Sequence, residues 1–578
     1  MTLFPRRFAC SSLAALALLV AHGHAQSNVL LILADDLGVD QVGCYAEGAL
    51  PPMTPNIDGL VQDGVLFRNA WSCPSCSPTR ATIMTGRYGF RTGIGFIVYA
   101  ESSSEHALDP NEVTLPEMLD LGTNGAWDCG LFGKWHLGNL TVGGDAAPNV
   151  AGWPQFVGTP TNLLNGDNYF DWRRVTNGVA EQVSEYATTS SVDSAIGFIG
   201  QSTSPWLCCL SLHAPHSPFH APPSHLHTVD LAGLAVSDDV NAHYRAMVEA
   251  VDTELGRLFS TLDPVVLANT WVIFAGDNGT PGAPALPPFA ASRAKGTTFE
   301  GGINVPFIVA GPGVDQPGRE SAALVHTVDL FKTIAGIAGV DLAATFPGRE
   351  FDGDSLLPVL EDSTAVFARD YVYTERFAPN DSMGAPLAPA ACPTPGLDVC
   401  QEDFGYAGPG NVSLTLCGDD LFGGAFVPLT VTSDLPSAPA FLVRSGVSMP
   451  VPLYGGTLAA FPPTHILPGA TDANGSISLD YYAGTAPAVS FLQVAVLDMA
   501  QPQGVAFSNC VRAETLTTHI RAVRDERYKL VVNVNNCQEQ LYDLLLDPFE
   551  SLELLGIGAL TPNALSHYRE LSARLAQL

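Results

Sequence analysis

Two continuous apolar runs, residues 28–33 and 270–275, constrain the fold of this chain more than any other feature. Each has the length of a strand. Neither shows the alternation of apolar and polar residues that marks a strand with one solvent-exposed face, and a continuous apolar run is typical of a strand buried on both faces of a parallel sheet. Similar runs occupy residues 206–212 and 306–310, and the amphipathic pattern of residues 244–258 predicts a helix between them. Strands that alternate with helices predict an α/β sandwich with a mostly parallel central sheet flanked by helices.

Polar pairs follow both runs directly, Asp35 and Asp36 after the first and Asp277 and Asn278 after the second. In open α/β sheets, ligand sites gather at the carboxyl ends of the strands. Burying even one uncompensated carboxylate costs several kcal/mol, and a hard divalent cation bound by the carboxylates would compensate that cost. Oxygen ligands favour calcium or magnesium over zinc. The two pairs therefore predict a metal site, although solvated loop acids are the commoner meaning of one such pair alone.

The first residues have the pattern of an export signal. Arg6 and Arg7 form a basic start, residues 13–21 an apolar stretch too short to span a bilayer, and Gly23 and Ala25 offer small side chains for cleavage. A buried first helix is the alternative. We expect an exported protein, periplasmic or extracellular, without stable membrane insertion, because a second long apolar run is missing from the sequence.

The charge balance limits the partners. With 26 basic and 58 acidic residues, the formal net charge is −32, and such a chain repels nucleic acid and anionic membranes at long range. We therefore expect no nucleic-acid partner. An anionic substrate must be captured by a few well-placed cations and not by a general positive field.

Twelve cysteines are present, and removing the signal segment with Cys10 leaves an odd number. In an exported protein an odd count indicates one special thiol, for which Cys76 is the candidate. We expect some of the others to form disulfides. The pairings to test are Cys392 with Cys400, and Cys417 with Cys510.

The amino-acid composition of the chain changes from about residue 379. Residues 386–509 contain one basic residue (Arg444), nine acidic residues and many Pro and Gly. Short β-type runs at 426–432, 440–443 and 489–496 are separated by turn residues, which predicts an inserted all-β module, such as a sandwich.

The last part of the chain predicts a small α+β unit. Residues 520–534 have the pattern of a hairpin, and Thr561 with Pro562 begins a final helix. The predicted organisation is a signal peptide at 1–25, a catalytic domain at 26–378, the all-β module at 379–512 and a C-terminal subdomain at 513–578.

One segment carries the chemistry: Cys76-Ser77-Pro78-Thr79-Arg80, followed by Thr85-Gly86. Pro78 suits the first turn of a helix and so places Cys76 near a helix N-terminus, where free N–H groups and the helix dipole favour an anion. Arg80 then lies one turn further on the same face. An ordinary capped helix is one alternative, and a redox pair of Cys73 with Cys76 is another.

This segment is similar to the signature C-x-P-x-R-x-x-x-x-T-G of the formylglycine-dependent (type I) sulfatases, of the alkaline-phosphatase-like superfamily, in which the cysteine is oxidised to formylglycine. The resemblance runs from residue 28 to about 359 and returns at about 520–555. Further blocks in family order are Thr54-Pro-Asn-Ile-Asp58, Gly133-Lys134-Trp135-His136-Leu137-Gly138, Ala214-Pro215-His216, Gly276-Asp277-Asn278-Gly279, Lys295-Gly296 with Glu300-Gly301-Gly302, Asp352-Gly-Asp-Ser-Leu-Leu357 and Gln540-Leu-Tyr-Asp543.

The resemblance implies a sulfuric ester hydrolase that cleaves aryl or carbohydrate sulfate monoesters, with a sulfated polysaccharide or oligosaccharide as one option, after maturation by a formylglycine-generating enzyme. It implies a metal, normally Ca²⁺ with Mg²⁺ as an alternative, on Asp35, Asp36, Cys76, Asp277 and Asn278. The other implied catalytic residues are Arg80, Lys134, His136, His216 and Lys295.

The family mechanism assigns these side chains their roles. The hydrated aldehyde from Cys76 attacks sulfur, while Lys134, His216, Lys295 and Arg80 hold the sulfate. His216 and Lys295 are placed to protonate the departing alcohol, and His136 takes the proton that releases sulfate and restores the aldehyde.

Two alternatives stay open. Related enzymes with this nucleophile hydrolyse phosphonate or phosphate esters, and a protein that binds sulfated glycans without catalysis would retain the fold. The family often has arginine at the position of Asn304, which puts local structure in doubt more than chemistry.

Overall fold

The computed structural model describes residues 27–102, 106–163, 167–380, 399–418, 426–482, 488–515, 518–534 and 537–578. Its centre is a ten-stranded sheet in the order β10-β2-β9-β8-β1-β7-β3-β4-β5-β6. These strands are β1 (Asn28–Ala34), β2 (Gly64–Trp71), β3 (Asp128–Lys134), β4 (Gln155–Thr159), β5 (Trp172–Thr176), β6 (Val179–Val183), β7 (Trp206–Ser211), β8 (Thr270–Gly276), β9 (Phe307–Ala310) and β10 (Arg319–His326).

Helices cover both faces of this sheet. They are α1 (Pro55–Gln62), α2 (Cys76–Thr85), α3 (Gly89–Thr92), α4 (Leu115–Thr123), α5 (Ala147–Val150), α6 (Ala187–Gln201), α7 (Val240–Thr261), α8 (Pro264–Ala268), α9 (Glu300–Ile303), α10 (Asp329–Ile337), α11 (Leu342–Thr345) and α12 (Leu357–Glu361). None of the helices in the described part of the chain is long and apolar enough to cross a membrane.

Strand β1 shows why its sequence is continuously apolar. Leu31 and Leu33 lie in the core on one side of the sheet, whereas Leu30 and Ile32 lie in the core on the other side. All four are fully buried, and each stabilises the fold by about 1.5–3 kcal/mol relative to an exposed side chain. The sequence pattern of a strand buried on both faces is confirmed.

The predicted parallel arrangement holds at the centre of the sheet and not at every strand. Strand β1 is parallel to both β7 and β8, and β3 is parallel to β7 and β4. Strand β9, predicted as one more buried strand, runs antiparallel to both of its neighbours, β2 and β8. The sheet is therefore mixed, with a parallel core.

The rest of the described chain is mostly β-structure. Its strands are β11 (Val372–Ala378), β12 (Val399–Cys400), β13 (Glu402–Gly405), β14 (Val412–Gly418), β15 (Phe426–Ser433), β16 (Pro439–Ser445), β17 (Val451–Leu453), β18 (Gly456–Leu458), β19 (His465–Ala470), β20 (Ser476–Tyr482), β21 (Ala488–Leu497), β22 (Val505–Phe507), β23 (Cys510–Thr515), β24 (Thr518–Arg524), β25 (Tyr528–Asn533) and β26 (Gln538–Asp543), and the final helix is α13 (Pro562–Leu575).

The β-module interrupts a hairpin. Strands β11 and β24 pair antiparallel, with Ala378 opposite Thr518, so the two ends of the intervening segment meet. The segment forms the sheets β12-β14-β15-β20 and β13-β23-β21-β16-β19, which share a core that includes Leu414, Leu429 and Val494. Strand β11 joins β24, β25 and β26 in the C-terminal sheet, although it precedes the module in sequence.

One disulfide expectation is wrong. Cys417 is disulfide-bonded, but Cys510 is a buried free thiol, so the two do not pair with each other. Cys510 lies on β23 in one sheet of the module and Cys417 on β14 in the other. The suggested pair of Cys392 with Cys400 includes Cys392, which lies outside the described residues.

Candidate active site

The two polar pairs meet because β1 and β8 are parallel neighbours in register, with Ala34 opposite Gly276. Oδ1 of Asp277 accepts a hydrogen bond from the backbone N–H of Asp36 at 3.0 Å, and Nδ2 of Asn278 donates to Oδ1 of Asp36 at 2.8 Å. Asp35, Asp36, Asp277 and Asn278 are all buried. The sequence thus builds one cluster of acidic oxygens at the carboxyl edge of the sheet.

Helix α2 begins at Cys76, as its motif predicts. The Sγ of Cys76 lies 3.2 Å from Nδ1 of His136, and both side chains are buried. The hydroxyl of Ser77 donates to the carbonyl of His136 at 2.9 Å. His136 has a φ of 65°, a left-handed conformation that costs energy in a non-glycine residue and concentrates at functional sites. The start of α2 and the turn after β3 therefore face each other across the site.

Arg80 reaches from α2 to the acidic cluster. Its Nε and one terminal nitrogen donate to Oδ2 of Asp277 at 3.0 and 2.8 Å. The other terminal nitrogen donates to the carbonyl of Lys134 and to the hydroxyl of Ser211. These contacts hold Asp277 and the end of β3 in place, a supporting position that differs from the sulfate contact expected for Arg80 from the family mechanism.

Two lysines and one histidine complete the cluster. Nζ of Lys134 lies 2.5 Å from Oδ2 of Asp35, and Nζ of Lys295 lies 2.5 Å from Oδ1 of Asp36. Nε2 of His216 lies 3.7 Å from Oδ2 of Asp36. The side chain of Lys134 is fully buried, whereas those of Lys295 and His216 keep 18% and 12% of their surface exposed. Solvent and substrate therefore reach the site on the side of His216 and Lys295.

Burial and mutual charge shift the pKa values of the cluster. Burial, helped by the neighbouring charge of Asp35, raises the pKa of Asp277 to about 7. Burial would also raise the pKa of Asp35, but the charges of Lys134, His216 and Arg80 hold it well below its usual value. Burial lowers the pKa of His136 and of His216. Both shifts favour the neutral imidazole, which can accept a proton, as long as no anion is bound beside it.

The family profile described as Sulfatase matches residues 27–340, more than half of the chain. This chain belongs to the sulfatase family.

Sulfatases of animals are among its relatives. The chain is 30% identical over 367 residues to an N-acetylgalactosamine-6-sulfatase of Sus scrofa, with 58% of this chain and 66% of the relative covered. It is 28% identical over 421 residues to a steryl-sulfatase of Rattus norvegicus, with 58% and 70% covered.

Solved structures agree with the fold. Ps i-CgsB in complex with k-i-k-neocarrahexaose is 27% identical with a TM-score of 0.52, covering 61% of this chain and 80% of that one. A complex with the substrate D-glucosamine-2-N,6-O-disulfate has a TM-score of 0.57 at 16% identity, covering 96% and 98%. The predicted family, the alkaline-phosphatase-like fold class and the reaction class, hydrolysis of sulfuric esters, are confirmed.

The cluster of this sulfatase suits a hard cation. Oδ1 of Asp35 and Oδ1 of Asn278 are buried and lack hydrogen-bond partners within the described residues, a state that costs free energy unless a ligand satisfies it. Ligand atoms of Asp35, Cys76 and Asp277 lie within 4.8 Å of one another, as do those of Asp35, Asp36 and His216. Oxygen donors of this kind match calcium or magnesium.

Several supporting residues of the sulfatase site are not predicted by the sequence motifs. The hydroxyl of Tyr244 donates to the carbonyl of Asp36 at 2.6 Å, and that of Tyr169 donates to the carbonyls of His213 and His216 at 2.8 and 2.7 Å. Ser211 accepts from Arg80. Among these three residues, only Ser211 could have been identified from the sequence pattern, because it is a polar residue at the end of a predicted buried strand.

Proposed function

We propose that this sulfatase acts through Cys76 after oxidation to formylglycine. The observation that carries the proposal is the position of Cys76, first residue of a buried helix and 3.2 Å from a histidine that can accept a proton. Burial raises the pKa of the Cys76 thiol, so the unmodified side chain stays protonated and weakly nucleophilic. An aldehyde at this position, once hydrated, would supply an oxygen nucleophile instead.

We propose that Asp35, Asp36, Asp277 and Asn278 hold a divalent cation beside residue 76, Ca²⁺ with Mg²⁺ as the alternative. Their clustered oxygens, two of them lacking hydrogen-bond partners in the described chain, support this assignment. When bound, the cation would supply positive charge that polarises the nucleophile and the sulfate oxygens. It would also offset the burial that raises the pKa of Asp277.

The positions of the remaining side chains suggest separate roles in sulfate binding and proton transfer. Lys134 and Lys295, whose ammonium groups lie against the acidic cluster, bind sulfate oxygens. His216 and Lys295 line the open side of the site, where the alcohol departs. Lys295 can donate a proton from its ammonium group, and His216 can do so once the negative charge of the bound sulfate favours its imidazolium form. His136 exchanges a proton with the group at position 76, and Arg80 fixes Asp277.

The substrate that we propose is a carbohydrate sulfate ester. Support comes from relatives named N-acetylgalactosamine-6-sulfatase and from the similar structure of Ps i-CgsB, which was solved in complex with k-i-k-neocarrahexaose. Maturation then needs a formylglycine-generating enzyme, and the basic and apolar start of the sequence supports export to the periplasm or the extracellular space. The module between β11 and β24 is proposed as a separate domain because its ends meet at Ala378 and Thr518.

One experiment tests these assignments together. The chain is produced with a formylglycine-generating enzyme, and the peptide that contains residue 76 is analysed by mass spectrometry. Sulfate release is measured on nitrophenyl sulfate, N-acetylgalactosamine 6-sulfate, D-glucosamine-2-N,6-O-disulfate and a sulfated galactan oligosaccharide. We expect an aldehyde at residue 76 and activity that Cys76→Ala abolishes. Active enzyme with an unmodified thiol would overturn the nucleophile, and faster release of phosphate from nitrophenyl phosphate would overturn the substrate class.

A thermal shift tests the cation separately. A ligand that binds only the folded state raises the free energy of unfolding by RT ln(1 + [L]/Kd). Ca²⁺ should therefore raise the Tm of the wild type and raise that of Asn278→Ala much less. Equal shifts in both proteins would contradict the site.

A further inference from the structure

Four rings form a compact group beside the site. The ring of His220 stacks on that of Tyr169, with centroids 4.1 Å apart and planes at 30°. Phe170 meets His220 edge-on at 5.5 Å and lies 5.2 Å from the ring of Tyr186. Tyr169 and Tyr186 are buried, whereas Phe170 is 41% exposed and His220 is half-buried. The group therefore presents Phe170 and His220 to the outside on a buried aromatic base.

This aromatic group is built on the loop that carries His216. The hydroxyl of Tyr169 donates to the carbonyls of both His213 and His216, and His220 belongs to the same loop, four residues after His216. His216 is one of the two site residues that face solvent. The aromatic group is therefore joined to the loop whose His216 lines the open side of the site.

Phe170 is held in place although its side chain is exposed. Oδ1 of Asn168 accepts hydrogen bonds from the backbone N–H groups of Phe170 and Asp171 at 2.8 and 3.1 Å. The N–H of Asn168 in turn donates to the carbonyl of Asp171 at 2.9 Å. The exposed 41% of Phe170 gains no stabilisation from burial in the folded protein. A bound ligand would bury this exposed part.

We propose that Phe170 and His220 form a platform on which the sugar ring of the substrate stacks, beside His216 and Lys295. The proposal rests on the proposed sulfatase function and deepens it. The C–H groups on one face of a pyranose are apolar and slightly positive, which complements the negative face of an aromatic ring. The cations of the site bind the sulfate, and the uncharged platform orients the ring that carries it. Phe170 is thus a binding residue for the ring that carries the sulfate.

The test compares kcat and KM on the sugar ester from the panel above that the wild type hydrolyses fastest with the inhibition constant of inorganic sulfate, which has no ring. Platform contacts lie away from the breaking bond, so they bind ground state and transition state alike and act on KM. Phe170→Ala should raise KM for the sugar ester about three- to tenfold with kcat almost unchanged. It should leave the inhibition constant of inorganic sulfate unchanged, and Phe170→Trp should retain the sugar KM. The matched control is Tyr454→Ala, which removes an aromatic ring 54% exposed in the β-module.

Two different results separate the platform from the chemistry. If the wild type cleaves the sugar ester and Phe170→Ala leaves its KM unchanged, or raises the inhibition constant of inorganic sulfate by the same factor, the platform is wrong and the sulfatase assignment is unaffected. If the wild type releases sulfate from nitrophenyl sulfate alone, the proposed carbohydrate substrate and the platform are both wrong. If it releases sulfate from none of the panel, the proposed function is wrong as well. A KM change in Tyr454→Ala as large as that in Phe170→Ala would also overturn the platform.

Discussion

Nδ1 of His136 lies 3.2 Å from Sγ of Cys76, whereas Nε2 of His216 lies on the open side of the site, 3.7 Å from Oδ2 of Asp36. Burial, with the charges of Lys134 and Arg80, lowers the pKa of His136 and keeps it neutral. We expect His136→Ala to lower kcat by a similar factor, about a hundred- to ten-thousandfold, on nitrophenyl sulfate and on a sugar sulfate. Steady-state rates on both substrates check this. A loss confined to the sugar ester would assign His136 to the leaving group instead.

Removing the β-module tests whether it contributes to the chemistry. Its ends meet at the pair Ala378–Thr518, so a short linker can replace residues 381–515 without separating β11 from β24. We expect the shortened protein to keep kcat on nitrophenyl sulfate within about threefold of the full chain, because small substrates need only the contacts that remain. A shortened protein that folds by circular dichroism and is inactive would show that the module builds part of the site.

Asn380 must be kept in that design. Its Oδ1 accepts from the N–H groups of Gly95 and Phe96 at 3.0 and 2.8 Å, and the N–H of Val98 in the same loop donates to the hydroxyl of Ser77 at 3.0 Å. Asn380 thus connects the root of the module to the residue beside Cys76. The matched variant is Asn380→Ala in the full chain, which should lower kcat more than removal of the module does.

Local sequence pattern was sufficient to predict the buried strands, because burial on both faces demands an apolar residue at every position. It could not predict that β9 runs antiparallel or that β11 belongs to the C-terminal sheet. Those features depend on pairing between segments far apart in sequence, such as Val372 with Arg524, and local periodicity does not encode a partner.

The site residues likewise include some that local sequence pattern predicts and others that it does not. Asp35 and Asp277 could be predicted from the sequence because each follows a buried strand, and parallel register brings those ends together. Tyr169, Tyr244 and Ser77 could not, since their hydroxyls contact backbone carbonyls of remote segments. Such contacts depend on loop conformation, and a lone tyrosine in a sequence is more often an ordinary core residue.

Lys529 joins the C-terminal sheet to the catalytic domain through buried charges. Its Nζ lies 3.1 Å from Oε1 of Glu300 and 2.7 Å from Oε1 of Glu550, and it stands over the ring of Trp71 at 4.8 Å. Lys529→Met removes the cation from the buried carboxylate of Glu550 and leaves Glu300 with the more distant guanidinium of Arg524, at 3.7 Å. We therefore expect the free energy of unfolding to fall by about 3–5 kcal/mol. Urea denaturation measures this, with Lys332→Met as the control. A fall below about 1 kcal/mol would contradict a role for this cluster in stability.

His213 makes the protein sensitive to acid. Burial lowers its pKa to about 3, below the ordinary value of about 6.5, so between these values the unfolded chain binds a proton that the folded protein excludes. Stability therefore falls as pH drops below about 6.5, by about 1.4 kcal/mol for each pH unit, and the loss ends near pH 3. His213→Gln can keep the contact that Nε2 makes with the hydroxyl of Thr159 at 2.6 Å. Between pH 6.5 and 4.5 the variant should lose about 2–3 kcal/mol less than the wild type in urea titrations, and parallel curves would exclude His213.

His216 provides the sharpest test of the acid step, because its Nε2 lies on the open side of the site, 3.7 Å from Asp36. A sugar alkoxide is a far stronger base than nitrophenolate, so only the sugar ester strongly needs a proton in the transition state. General-acid help is worth about a hundred- to ten-thousandfold in rate. His216→Ala should therefore lose that factor in kcat/KM on a sugar sulfate and much less on nitrophenyl sulfate, whereas His136→Ala should not discriminate between them. An equal loss on both substrates, with chemistry rate-limiting, would reduce His216 to a sulfate ligand and leave Lys295, whose ammonium shares the open side, as the acid.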